Sequence, residues 1–332
     1  MIGSTNGEAA VSITGLGCCV PERIVTNDEL SRHVDTSDEW IRERTGIRER
    51  RIAAETEALS DLALPAARKA LGAAGVEGGD IDLLIVATVT PDMTFPSTAA
   101  LMADALGARA AGAYDLSAGC TGFMYALAQA YGMLAAGLSR RALVVGGDVL
   151  SKLLDWSDRS TLVLFGDGAG AVVLEQTSER GFLGFELGAD GGGGANLWLP
   201  GSGSRKFDDP DGYVKMNGRE VYKFATRVLV QSAEAVLDRC GVAIEDVDVY
   251  VPHQANVRII DHATRKLGVP SERVVINVDR YGNTSSGSIP LALADAIADG
   301  RLRPGSLVLM TGMGAGLTWG SALLRWTKEG AQ

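Results

Sequence analysis

The sequence predicts an α/β protein built from two duplicated halves packed into one layered body, and three observations carry that expectation. Apolar runs of strand length alternate with helical patterns, the signature of parallel sheets covered by helices on both faces. The chain repeats itself at a shift of 166 residues, half its length: Ala67, Leu71, Gly75, Val76, Asp80 and Asp82 recur as Ala233, Leu237, Gly241, Val242, Asp246 and Asp248. Finally, 332 residues that are 46% apolar and 22% charged, with 42 glycines and 10 prolines, suffice for two core-bearing halves. The halves are drawn at 1–187 and 188–332.

Taken in chain order, residues Met1 to Ala10 are rich in Gly, Ser, Thr and Asn, without a basic segment ahead of an apolar one, so a secretory signal is not expected. Thr36 and Glu39 form a capping-box pattern that starts a short helix ending before Gly46. Each repeat copy then reads as helix, Gly-Val turn, Asp-x-Asp and a buried strand, Leu83 to Val89 in the first and Val247 to Val251 in the second. A strand ends near Leu116, and Phe123, Leu127, Ala130 and Leu134 follow at helical spacing. The register persists in the strand Ala142 to Gly147, whose Leu143 and Gly146 match Leu309 and Gly312 of the strand Ser306 to Gly312. After Asp148 the first half carries an insertion, with Asp155-Trp156-Ser157-Asp158-Arg159, before a glycine-rich strand from Gly166 to Leu174. The second half passes almost at once from Gly312 to Thr318-Trp319-Gly320. A Gly and polar stretch, Gly188 to Gly212, links the halves, and insertion and linker are the expected places for substrate contacts. The strand Val274 to Val278 precedes a last helix marked by Ile289, Leu293 and Ile297.

Composition excludes several classes. No apolar run approaches the roughly 20 residues of a bilayer span, so no membrane partner is expected. A net charge of -10 argues against nucleic acid, which demands a basic stripe. The four cysteines, Cys18, Cys19, Cys120 and Cys240, form no CxxC spacing, so neither disulfides nor a metal site is expected and a cytoplasmic address fits. Gly166-Asp167-Gly168-Ala169-Gly170 enters a strand rather than opening a helix, which removes it as a dinucleotide loop.

Three residues stand out for chemistry. Cys120, in Ser117-Ala118-Gly119-Cys120-Thr121-Gly122, falls at or near a helix N-terminus, whose partial positive charge can lower a thiol pKa of about 8.5; the plainer alternative is a small buried hydrophobe. His253, one of three histidines, follows a buried strand at its carboxyl end, where open α/β sheets place their sites. Asn283 lies in Gly282-Asn283-Thr284-Ser285 ahead of the last helix, where an ordinary helix cap is the alternative. The pseudo-symmetry of the repeat brings these strand ends toward one region.

Taken together, the segments Asp35 to Ile41, Arg44 to Arg48, the Cys120 segment, Phe165 to Ala171, Val251 to Asn256, Gly282 to Ser285 and Thr318 to Ala322 resemble, in order and over nearly the whole chain, the beta-ketoacyl-acyl carrier protein synthase III family. The resemblance implies a homodimeric thiolase fold, layered αβαβα, with a Cys-His-Asn triad carried by Cys120, His253 and Asn283. It implies transfer of a primer acyl group from acyl-coenzyme A, a substrate and not a resident cofactor, to Cys120. Decarboxylative condensation with malonyl-acyl carrier protein would follow, initiating fatty acid or polyketide synthesis. Backbone N–H groups of Cys120 and Ala315 would hold the oxyanion. Trp40 and Arg159 would sandwich the adenine, with Arg44 and Asn256 holding the cofactor arm. The cationic faces of Arg219, Lys223, Arg258, Arg265 and Lys266 would steer the acidic carrier protein. The chain departs from the family at Met313-Gly314-Ala315-Gly316-Leu317, where many members carry Phe-Gly-Gly-Gly-Phe, so Met313 and Leu317 are expected to border the acyl pocket. Two rivals are an acyltransferase with a nonmalonyl acceptor and a silent subunit that only binds carrier protein.

Overall fold

A computed structural model describes residues 10–201, 203–208 and 211–327, so most of the N-terminal segment read above lies outside the described residues. The strands are β1 (Ala10–Cys19), β2 (Ile24–Thr26), β3 (Glu49–Arg51), β4 (Leu83–Ala87), β5 (Gly112–Leu116), β6 (Arg141–Asp148), β7 (Gly168–Thr177), β8 (Phe182–Ala189), β9 (Leu197–Trp198), β10 (Lys215–Met216), β11 (Val249–Pro252), β12 (Leu307–Gly314) and β13 (Thr318–Arg325). The helices are α1 (Asn27–Leu30), α2 (Asp38–Thr45), α3 (Leu59–Ala74), α4 (Thr98–Leu106), α5 (Gly122–Ala135), α6 (Arg159–Leu162), α7 (Gly218–Cys240), α8 (Val257–Leu267), α9 (Val278–Tyr281) and α10 (Ser288–Ala298).

Two sheets organise the molecule, one in the order β1-β7-β6-β4-β5 and the other β8-β13-β12-β11. Matching pairs run in matching senses. β1–β7 and β7–β6 are antiparallel like β8–β13 and β13–β12, and β6–β4 is parallel like β12–β11. Alternation along β4 explains the layering. Leu83, Ile85 and Ala87 face a core shared with α5, α10 and the second sheet, while Leu84 and Val86 face the outer helices α3 and α4. On the far side, α7 and α8 cover the second sheet through Ala233, Leu237 and Ile260. The order is therefore helix, sheet, helix, sheet, helix, as expected.

The repeated residues turn out to build turns. Gly75 and Gly241 end α3 and α7 in the left-handed region at φ 72° and 65°, and the N–H of the following valine closes onto Leu71 or Leu237. Asp82 accepts from the backbone N–H groups of Arg140 and Arg141, as Asp248 accepts from Leu307. The repeat thus encodes strand entry, identical in both halves.

Two expectations are corrected, and the position drawn between the halves falls within a strand. Residues 274–278 form no strand; only Val274 bridges to Tyr250, and α9 takes over at Val278. The cap of α2 is Ser37, which accepts from Trp40 N–H at 3.1 Å, one residue beyond Thr36, whose hydroxyl is buried without a partner. β8 already pairs with β13, so the second sheet begins on the N-terminal side of the boundary drawn at 187/188. The insertion is as read: residues 149–167 join β6 to β7, whereas residues 315–317 suffice between β12 and β13.

Candidate active site

Cys120 sits in a 3-10 turn, Gly119–Thr121, that leads from β5 into α5. Gly119 adopts φ 57°, and a Cβ there would meet Ala315 N at 2.7 Å; a Cβ on Gly314 would meet Cys120 N at 2.5 Å. Glycine at both positions lets the Cys120 turn of one half lie directly against the β12–β13 turn of the other. Cys120 is buried, and burial pushes its thiol up to about 11; the Ser285 hydroxyl and its own backbone N–H favour the thiolate, while the charge of Asp148 opposes it. The lowered pKa expected from the helix terminus is not found, because loss of hydration outweighs it. At neutral pH Cys120 is a thiol. Ser285 holds a left-handed φ of 52°, unusual for a residue with a side chain.

β11 delivers His253, whose N–H donates to Thr311 O at 2.7 Å and whose ring is 1% exposed. Burial pushes the imidazole down to about 4, so it is neutral at physiological pH. Ring Nδ1 lies 2.6 Å from Ser288 Oγ, and Nε2 is buried with no partner among the described residues. Asn283 is held on both sides. Its backbone bridges the insertion through Leu164 O and Gly166 N, and its Oδ1 accepts from Ser285 N–H at 2.9 Å. With the oxygen engaged, the carboxamide presents N–H groups.

Cys120, His253 and Asn283 line one cavity of about 690 Å³, together with Trp40, Arg44, Arg159, Asn256, Met313 and Gly314. A smaller, nearly apolar cavity of about 140 Å³ opens behind Cys120, walled by Val89, Leu150, Leu153, Phe165, Leu197, Trp198, Leu199, Val214, Ser285 and Ala315. Met313 and Leu317, expected to border the acyl chain, do not border this cavity: Met313 faces the larger one, and Leu317 is buried under α7 with Phe224 and Val228. Leu150, Leu153 and Phe165 of the insertion and Leu197, Trp198 and Leu199 of the linker supply much of the apolar wall of the smaller cavity, and these scattered side chains carried no pattern in the sequence.

The outer end of the large cavity carries the aromatic and guanidinium planes. Arg159 stacks on Trp40 with its guanidinium carbon 4.8 Å from the ring centroid and donates to Asp35 O, so a purine between them requires Arg159 to move. Asn256 also lines the cavity, yet its carboxamide is engaged: it donates to Arg44 O and caps α8 by accepting from Arg258 N–H. Arg219, Lys223 and Arg258 stand at the mouth, with Arg258 over the Tyr222 ring, whereas Arg265 and Lys266 occupy the last turn of α8, away from the cavity. Ser288 is the polar contact that motif reading passed over. Its signal was faint, since Ser288 is the last hydroxyl of Thr284-Ser285-Ser286-Gly287-Ser288, directly ahead of the apolar run Ile289-Pro290-Leu291-Ala292-Leu293. Among the described residues no group of His, Cys, Asp and Glu is placed to hold a metal ion, and no helix is long and apolar enough to cross a membrane.

Comparison with known proteins points one way. Residues 114–191 match the family described as 3-oxoacyl-(acyl-carrier-protein) synthase III, and residues 237–326 match its C-terminal region. A relative from Symbiobacterium thermophilum, named beta-ketoacyl-(acyl-carrier-protein) synthase III, is 56% identical over 95% of this chain and 98% of its own length. The crystal structure of 3-oxoacyl-(acyl-carrier-protein) synthase III from Aquifex aeolicus VF5 superposes with a TM-score of 0.91 at 45% identity, covering 96% of this chain and all of that one (100%). A priming beta-ketosynthase of a polyketide biosynthetic pathway superposes at 0.92 with 36% identity, over 99% of this chain and 100% of that one.

Proposed function

Because the chain belongs to the 3-oxoacyl-(acyl-carrier-protein) synthase III family, a family of thiolase-fold condensing acyltransferases, we propose that Cys120, His253 and Asn283 are the residues that carry its reaction. The carrying observation is that all three line one cavity, with the His253 Nε2 atom buried there and unpartnered. The substrates are an acyl-coenzyme A primer and malonyl-acyl carrier protein, in keeping with the names of the relatives and with the cationic mouth. Arg44, Trp40 and Arg159 bind the coenzyme A arm, and Arg219, Lys223 and Arg258 meet the carrier protein. The enzyme works as a cytoplasmic homodimer.

In the first step the Cys120 sulfur attacks the acyl carbonyl, the bond to the coenzyme A sulfur breaks, and the thiol proton ends on the departing sulfur. Because the resting thiol is protonated, attack and proton loss go together. The N–H groups of Cys120 and Ala315 receive the oxyanion. In the second step the malonyl thioester loses carbon dioxide, and the electron pair moves onto the thioester oxygen. The His253 ring N–H and the Asn283 amide stabilise the charge developing there. A neutral ring at physiological pH suits this role, since it donates a hydrogen bond without surrendering a proton. The new carbon nucleophile attacks acyl-Cys120, a carbon-carbon bond forms, and Cys120 leaves and takes up one proton. The small cavity behind Cys120 receives the primer chain, and its size favours short acyl groups.

Intact-protein mass spectrometry with a panel of acyl-coenzyme A esters tests the proposal, combined with carbon dioxide release from malonyl-acyl carrier protein. The expected result is one acyl adduct on Cys120 and carbon dioxide evolution. Asn283→Ala should retain the adduct and lose roughly 100-fold in decarboxylation. Acylation without condensation would favour a nonmalonyl acceptor, and no acylation by any ester would favour a carrier-binding role alone.

A further inference from the structure

Ser288 has one outlet for its hydroxyl hydrogen. It is the first residue of α10, 1% exposed, and its Oγ has two neighbours: Gln254 N–H at 3.4 Å, which can only donate, and His253 Nδ1 at 2.6 Å. If Nδ1 carried the ring proton, Oγ would accept from both and its own hydrogen would be buried with no acceptor. If the hydroxyl donates to Nδ1, the hydroxyl hydrogen and Nδ1 are both used, the ring proton must sit on Nε2, and that N–H is the one group of the pair left for a substrate acceptor. The Nε2 atom is the one that has no partner among the described residues and belongs to a ring lining the large cavity.

Gln254 keeps this arrangement rigid. Its side-chain amide donates to Pro252 O and Val275 O, and its Oε1 accepts from the N–H groups of Asn277 and Val278, so the loop carrying His253 is tied to the chain leading into α9. Hydroxyl and imidazole therefore meet from α10 and from the end of β11, two elements packed on one another.

We propose that Ser288 is a positioning residue that fixes His253 as the Nε2–H tautomer, so that the ring presents a hydrogen-bond donor, and not a lone pair, to the thioester oxygen. The proposal rests on the condensing reaction assigned above, but its first test does not. The chain has three histidines, His33, His253 and His262, so two-bond ¹⁵N–¹H correlation spectra of histidine-labelled protein resolve each ring, and His253→Gln assigns the signal.

Wild-type protein should give the Nε2–H pattern for His253. Ser288→Ala should give a mixed or Nδ1–H pattern, together with a roughly 10- to 100-fold loss of carbon dioxide release, the range for losing a group that orients a ring. Its acylation of Cys120 should stay near wild type. Ser288→Thr, which keeps the hydroxyl, should restore both the spectrum and the decarboxylation. An Nδ1–H pattern in the wild type overturns the proposal, whatever the variants do. So does an unchanged tautomer in folded Ser288→Ala, or equal loss of acylation and decarboxylation in it. An Nε2–H wild type that releases no carbon dioxide from malonyl-acyl carrier protein supports the ring assignment and overturns the assigned reaction instead.

Discussion

At the residue scale, burial sets the protonation of the site before any substrate arrives. Cys120 is held as a thiol and His253 as a neutral ring by the same cause, lost hydration of the charged form. For His253 this has a consequence for stability. Its folded pKa, about 4, lies below the ordinary 6.5, so between these values the unfolded chain binds a proton that the folded chain refuses. Stability therefore rises with pH through this window and falls on acidification, by about 3 kcal/mol over its full width. His253→Gln should remove this component. Chemical unfolding at pH 7 and pH 4.5 should give a smaller difference for the variant than for the wild type, and equal differences would contradict the buried neutral ring.

At the element scale, short helices and turns do the positioning. α2 presents Trp40 and Arg44 toward the cavity, and its start depends on Ser37, with Gly46 ending it at φ 80°. Capping boxes are read from spacing, and Thr36 with Glu39 satisfied the spacing; the backbone instead turns extended at Ser37, which alone reaches Trp40 N–H. Ser37→Ala should lower stability by about 1 kcal/mol, whereas Thr36→Ala, which removes a buried hydroxyl with no partner, should cost less or stabilise. Thermal melts of the two variants check this ordering.

At the scale of the whole molecule, the duplicated halves are tied together beneath the site by Asp148. This fully buried carboxylate ends β6, accepts from the Thr88 and Thr90 hydroxyls and the N–H groups of Val89 and Thr90, and crosses to the other half through the Ser286 hydroxyl. Gly146 lies so near Ser286 that a Cβ would meet its carbonyl oxygen at 2.4 Å, which explains the glycine that the repeat keeps in this strand. Asp148→Asn should leave at least one buried donor without an acceptor and cost about 1–3 kcal/mol. By removing a negative charge near Cys120 it should also shift iodoacetamide alkylation of that thiol to lower pH. A destabilised variant with an unshifted alkylation profile would refute the second effect.

The sequence by itself determined the layered fold and the duplication, and singled out Cys120, His253 and Asn283 as candidates, because each is written in local terms: period-two and helical patterns, a repeated turn, and motifs on strand ends. A strand it overstated, 274–278, makes a single bridge, from Val274 to Tyr250, before the chain turns into α9. Only tertiary structure decided the surroundings of those three side chains. The small cavity behind Cys120 is walled in part by leucines from the insertion and the linker, Ser288 reaches His253 across 35 positions of sequence, and Asn256, plausible as a ligand, is engaged at the cap of α8. Such contacts depend on how two sheets and their loops close over one another, and the distance along the chain between the partners leaves no periodicity from which to read them. The thiol pKa belongs to the same class, since a helix terminus is visible in sequence and the depth of burial that opposes it is not.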